Sequence, residues 1–467
     1  MPARIHPNDE ERGDVHPLPV SRRRFLTTSA MAVAGGVLFS CTGGRTIPSV
    51  SDATPLTDTA TPIKRVIYVM LENRSFNNVF GGFPGVVGTG TGVSYGDEVP
   101  LRYCTDWLPG DLPHDRAAYL NCLNGGKLDG FGNGIYGPEW AYSQLREPQI
   151  PNYWRWAREF AISDNFFASA SGPSYPNHFF FIAGTSGGVI DNPENIETRV
   201  DGDKTFKSWG CDAIGDDVFV FAKDPQGNLT KHDTCFSFPT VGQQLTQAGV
   251  DWTFYSASPG QTGYFWNAYN GISEVFHTDL WHEHTRPVDQ LVDDIELGNL
   301  PAVTWVTPRF ELSDHPPVST GFSHNWVTDI VNAVMTSDMW EHTAIFLTWD
   351  EWGGFYDPVA PPVVDDVGLG FRVPLLTISP YTPRGLIDTE VGEFSTPLRF
   401  ISDNWGLKYL SPRIANTHDM SHMFNFNAKP RAPIVSPKEA PTYGTPWQFP
   451  TDYPGWPAGT VPTTEPF

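Results

Sequence analysis

The chain has 467 residues, of which 40% are hydrophobic, 13% aromatic and 18% charged, enough apolar material for a sizeable core and too much for wholesale disorder. Its 30 basic and 53 acidic side chains leave a formal charge of −23, and no cluster of Lys and Arg stands out after residue 24. That balance excludes a nucleic-acid-binding protein, which needs a basic face, and disfavours adhesion to anionic membrane surfaces.

The first segment reads as an address. Ser21-Arg22-Arg23-Arg24-Phe25-Leu26 fits a twin-arginine export signal, and the apolar run at 30–39 is too short to span a membrane stably. A cleaved signal over residues 1–40 is expected. Leu38-Phe39-Ser40-Cys41 resembles a lipobox, with a bulky Phe39, so Cys41 is either lipidated or lost with a soluble product. Residues 41–62 are rich in Thr, Ser, Pro and Asp and read as a tether. The expected location is the cell surface or periplasm, anchored at Cys41 or otherwise secreted, with the twin-arginine machinery as a transport partner.

Beyond the tether, one large domain is expected over 63–430. Short apolar runs at 66–71, 302–306, 344–349 and 374–378 lack alternation, as strands covered on both faces do. Helical patterns at 153–160, 242–248, 326–337 and 397–405 lie among them, which predicts an α/β sandwich. Residues 83–150 and 186–238 are rich in Gly, Asp and Asn and predict long loops or a small cap. The Pro-rich stretch 431–467 predicts an extended surface strap.

Open α/β sheets hold ligands at the carboxyl ends of their strands. The first strand runs into Glu72-Asn73-Arg74-Ser75-Phe76, and the run at 344–349 continues into Asp350-Glu351-Trp352-Gly353-Gly354. Glu72, Asn73, Asp350 and Glu351 therefore offer hard oxygen donors to one divalent cation. Either motif alone also suits an ordinary polar turn. In Gly172-Pro173-Ser174-Tyr175-Pro176-Asn177-His178, Pro176 marks a helix start and puts the Ser174 hydroxyl near free N–H groups. Ser174 is then a metal-activated nucleophile or a simple N-cap. His114 and His315, in Pro113-His114-Asp115 and Asp314-His315-Pro316, are candidate proton donors to a leaving group, although a lone loop histidine is often only a surface residue. Trp281-His282-Glu283-His284 has a spacing that matches no metal motif. Cys104, Cys122, Cys211 and Cys235 suggest two disulfides; proximity favours Cys104–Cys122 and Cys211–Cys235, with three pairings open.

Together these segments resemble the bacterial phosphoesterase family of phospholipases C and respiratory-burst-inhibiting acid phosphatases. The resemblance covers 62–427, and its most specific piece is 66–76; further matches are 124–131, 172–177, 315–317, 349–362, 372–381 and 404–407. It implies an alkaline-phosphatase-like α/β/α core with a mostly parallel central sheet. It places Glu72, Asn73, Asp350 and Glu351 on metal positions, Ser174 on the nucleophile that also touches the metal, and His114 and His315 on substrate or leaving-group contacts. This chain departs where the family has a His after Asp357, here Pro358, where Phe394 replaces a His, and where Asn77 replaces an Asp. The implied activity is a one-metal, phospholipase C-type hydrolysis of a phospholipid or small phosphate ester through a phosphoserine. A phosphomonoesterase or a non-catalytic surface lipoprotein are the alternatives. The 16 Trp, 16 Tyr and 31 Phe could line a choline or lipid pocket, though packing alone accounts for many aromatics.

Overall fold

The computed structural model describes residues 58–108, 110–133, 137–201, 204–224 and 226–442. The signal segment, Cys41, the tether up to residue 57 and the end of the strap lie outside the described residues.

Eight strands form the central sheet: β1 (Arg65–Leu71), β2 (Ala161–Ser163), β3 (Trp252–Ser256), β4 (Thr285–Pro287), β5 (Val303–Val306), β6 (Thr343–Trp349), β7 (Leu375–Ile378) and β8 (Leu386–Asp388). Their order is β4-β3-β5-β1-β6-β7-β2-β8. All neighbours are parallel except at β7, which runs against both β6 and β2. The four strands expected from apolar runs are therefore present to within a residue. The other four are short, or mix Thr, Ser, Tyr and Pro with few aliphatic residues, and give no comparable signal.

Helices cover both faces. On one, α1 (Pro151–Glu159) and α4 (Thr320–Thr336) pack so that Tyr153 lies between His324 and Trp349 of β6. On the other, α2 (Ser174–Ala183) and α5 (Ser395–Asn404) bring Phe181 against Tyr68 and Phe400 against Phe346. Neighbours Tyr68 and Phe346 share one face, and Leu71 and Trp349, three residues on, share the other, which is the period-two rule of a strand. The result is a three-layer α/β/α sandwich with a mostly parallel sheet, as expected. A further helix, α3 (Val241–Ala248), starts with a reciprocal capping box between Thr240 and Gln243.

The two loop-rich stretches contain two-stranded ribbons, such as Thr91–Ser94 with Asp97–Pro100 and Val220–Lys223 with Leu229–His232. The chain beyond 430 has no regular structure as far as residue 442 and lies along α4: Asn332 pairs with the Ser436 backbone in both directions, and Asn152 Nδ2 donates to Pro437 O at 2.7 Å. Cys211 and Cys235 are bonded, but the expected Cys104–Cys122 bridge is not formed. Those two thiols are buried in separate surroundings. Cys104 sits against the Arg74 guanidinium, and Cys122 lies beside Trp352, where burial pushes its thiol up to about 12. No helix among the described residues is long and apolar enough to cross a membrane.

Candidate active site

β1 and β6 are adjacent and parallel, with Leu71 opposite Trp349, so the chain leaves both strands at the same level. Asp350 N donates to Leu71 O at 3.0 Å, and Asn73 N donates back to Asp350 Oδ1 at 2.8 Å. Asn73 adopts φ 61°, a left-handed conformation that asparagine tolerates, and this turns its side chain out of the strand direction. Gly353 follows at φ 62°; a Cβ there would lie 2.2 Å from Asn73 O, so only glycine lets the two strand-end loops meet. Gly353 N in turn donates to Glu351 Oε2 at 2.9 Å.

Helix α2 supplies the next pieces. Its N-cap is Pro173, and Ser174 is the first helical residue, so the Ser174 hydroxyl does not cap the helix. It donates instead to Glu72 Oε2 at 3.3 Å, while His178, one turn later, contacts Glu72 Oε1 through Nε2 at 2.8 Å. Glu72, Asn73, Asp350 and Glu351 are fully buried and Ser174 is nearly so. Burial raises the Glu72 carboxyl well above its ordinary value, reinforced by the charge of Asp350. Burial likewise raises Glu351, although His114 pulls the other way. His178 is pushed down to about 4, chiefly by burial.

The two loop histidines complete the polar end. Asn73 Nδ2 lies 3.2 Å from His114 Nε2, and His114 Nδ1 lies 2.7 Å from Leu112 O. The His114 and His315 rings are 5.6 Å apart, with Asp111 between them at 3.5 Å from His114 Nδ1 and 4.0 Å from His315 Nε2. Burial works against the His114 imidazolium, but Asp111 and then Glu351 outweigh it and lift His114 to about 9. His315 is lowered, mainly by burial. Ser174, Asp111, His114 and His315 open into a cleft of about 390 Å³ walled by Trp209, Phe265, Trp266 and Phe310.

Three buried acceptors, Asn73 Oδ1, Asp350 Oδ2 and Glu351 Oε1, have no hydrogen-bond partner among the described residues. Orphaned buried oxygens beside clustered carboxylates are costly unless a cation meets them. The set of three carboxylates and an amide oxygen suits a hard divalent ion, and Glu72, Asp350 and His178 also lie within ligand distance of one another. The residues present therefore fit a metal.

The sequence profile of the phosphoesterase family matches residues 63–408. The chain belongs to the phosphoesterase family. Hemolytic phospholipase C of Pseudomonas aeruginosa is 26% identical across 87% of this chain and 62% of its own length, so the chain spans less than two thirds of that relative. Phospholipase C B of Mycobacterium tuberculosis is 26% identical across 90% of this chain and 88% of its own. Among solved structures, a protein in the alkaline phosphatase superfamily from Vibrio parahaemolyticus overlaps 80% of this chain and 72% of its own, at 10% identity and a TM-score of 0.37.

Within this phosphoesterase, Glu72, Asn73, His114, Ser174, His315, Asp350 and Glu351 all reach the same end of the sheet. Sequence reasoning passed over His178 and Asp111, although each stands at helical or turn spacing from a residue it did single out: His178 four after Ser174, Asp111 three before His114. The departures from the family pattern are occupied by packing. Asp357 holds Arg372 through two contacts at 2.8 and 3.1 Å and accepts from Asn77 N, and Phe394 is buried against Phe166. His284 is structural as well, stacked on Trp252 with centroids 4.2 Å apart.

Proposed function

We propose that this chain is a metal-dependent phosphoesterase of phospholipase C type, acting on a phospholipid or small phosphate ester through Ser174. The observation that carries it is the Ser174 hydroxyl, buried at the first turn of α2, not used as a cap, and donated to one of the three clustered carboxylates. A divalent cation held by Glu72, Asn73, Asp350, Glu351 and Ser174 would supply positive charge that favours the serine alkoxide and offsets charge on the phosphoryl oxygens. Glu72 orients the hydroxyl and is itself held by His178. Ser174 Oγ attacks phosphorus, the bond to the leaving oxygen breaks, and His114 or His315, both at the cleft, gives the departing alkoxide its proton. The positive end of the α2 dipole, rather than a set of free N–H groups, favours negative charge on the equatorial oxygens, since Tyr175 N is taken by Asn192 Oδ1 and Pro176 has no N–H. Water then cleaves the phosphoserine and releases Ser174.

With a phospholipid, cleavage on the glycerol side yields diacylglycerol and a phosphorylated head group. Lys207 lines the same cleft, and its ammonium makes no hydrogen bond or ion pair among the described residues. That free positive charge favours a substrate carrying extra negative charge, which keeps a phosphomonoester as the second reading. Export through the twin-arginine pathway belongs to the proposal too; Ser21–Leu26 supports it, as does the Cys211–Cys235 disulfide, a bond suited to an oxidising compartment.

The test is release of p-nitrophenol from p-nitrophenylphosphorylcholine and from p-nitrophenyl phosphate, with and without a chelator. Chelator-sensitive turnover of either, reduced about 10³-fold or more in Ser174→Ala at unchanged Tm, is expected. Full activity of Ser174→Ala would overturn the mechanism.

A further inference from the structure

A second cluster of ligand-type side chains lies at the far end of the sheet. β8 is the edge strand, four positions from β1 and therefore about 19 Å away. Its last residue, Asp388, is buried and accepts from Ser163 Oγ at 2.8 Å and from Glu390 N at 3.1 Å. Asp388 Oδ1 also lies 2.8 Å from His422 Nε2. Because the carboxylate can only accept, Nε2 carries the hydrogen, which leaves Nδ1 as the nitrogen that can face a metal. Glu390 Oε1 is 3.9 Å from that Nδ1.

His418 stands beside this pair, its ring centroid 5.2 Å from that of His422. Neither of its nitrogens is committed to a strong bond: Met420 N reaches Nδ1 at 3.3 Å, and Nε2 is a buried atom with no hydrogen-bond partner among the described residues. One nitrogen from each ring and one Glu390 oxygen lie within 4.8 Å of one another. The chain after β8 leaves room for this because residue 392 is glycine; a Cβ there would sit 3.0 Å from His418 Nε2 and 2.9 Å from the Phe166 ring.

We propose that Glu390, His418 and His422 form a binding site for a divalent transition-metal ion, zinc being the probe, with Asp388 as the outer carboxylate that orients His422. The arrangement is the carboxylate–histidine–metal relay, in which the outer acceptor fixes tautomer and ring orientation and raises the basicity of the ligating nitrogen. Tetrahedral ligands at about 2.1 Å from zinc stand about 3.4 Å apart. The exposed Glu390 side chain closes the half ångström to His422 Nδ1 by rotation, and side-chain adjustment brings in His418, which lies within 4.8 Å, leaving one position for water. Two imidazoles and one carboxylate favour zinc, nickel or copper over magnesium or calcium. The site would clip the loop carrying His418 and His422 onto the edge strand.

Metal analysis and thermal unfolding of the full mature chain test this. The wild type, stripped with chelator and equilibrated with zinc, is expected to retain one zinc per chain more than His418→Ala and than Glu390→Gln, and to show a zinc-dependent rise in Tm that both variants lose. Glu390→Gln changes an exposed side chain, so its folding is not at risk. Glu390 lies outside the cleft, so Glu390→Gln should hydrolyse the p-nitrophenyl esters at the wild-type rate, whatever that rate is, which separates this site from the fate of the proposed hydrolysis. Equal zinc content and equal Tm shifts in the wild type and Glu390→Gln would overturn the proposal.

Discussion

At the scale of single residues, chemistry and stability separate cleanly. His324, in the second turn of α4, accepts from Asn152 N at 2.9 Å and stacks among Tyr153 and Trp156, and burial pushes its imidazole from 6.5 down to about 3. The unfolded chain takes up a proton near pH 6.5 that the folded chain refuses until about pH 3. The stability associated with neutral His324 is thus complete above pH 6.5 and is lost progressively as the pH falls toward 3. His324→Gln, which keeps an acceptor for Asn152 N, should flatten the decline of Tm between pH 6.5 and 4; an unchanged slope in thermal melts would refute this. Lys207 acts on specificity instead. Lys207→Glu reverses the free charge of the cleft and should shift the ratio of kcat/KM values about tenfold or more toward the phosphorylcholine ester relative to p-nitrophenyl phosphate. Parallel loss on both substrates would mean that Lys207 touches the scissile phosphate itself.

Secondary elements place those residues through a few buried contacts. The Arg372–Asp357 pair, fully buried, ties the stretch after Gly354 to Asn77 and to Asp164 O. Asp357→Ala leaves the guanidinium uncompensated and should destabilise the fold by about 3–5 kcal/mol in denaturant titrations. A change below 1 kcal/mol would show that solvent reaches the pair. The elements were unevenly legible from sequence. β1 and β6 announce themselves because both faces are covered and every residue is apolar or nearly so. The apolar period marks α4 only from residue 326, whereas the helix begins at Thr320, because its first residues include Thr, Gly, Ser and His that pack inward without an apolar period. β2 and β8 have three residues each, too few for a pattern to rise above the neighbouring loops.

On the scale of the whole molecule, the strap joins segments that sequence keeps far apart. Segment 431–442 holds α1 and α4 through Asn152, Asn325 and Asn332, and Arg431 reaches Glu159. Truncation before Arg431 removes these partners and uncovers α4. Tm should fall by several degrees, with hydrolysis below the new Tm retained because none of the described strap residues, 431–442, lines the cleft. An unaltered Tm would reduce the strap to surface decoration.

The sequence by itself determined the class of the fold, the acidic balance, and the identity of the candidate donors, because each depends on residue type and local period. The expectation of a phosphoesterase rested on motifs contiguous in the chain, and family membership bears it out. Tertiary structure decided everything that depends on convergence. Residues 72, 114, 174, 315 and 350 meet only because β1 and β6 are neighbours and α2 returns to their carboxyl ends. Whether the Ser174 hydroxyl caps its helix or faces a carboxylate is invisible in one dimension, as is the separation that leaves Cys104 and Cys122 unbonded. The Asp388–His422 contact has the same origin: its partners lie 34 residues apart, and only the edge of a folded sheet brings them within 2.8 Å.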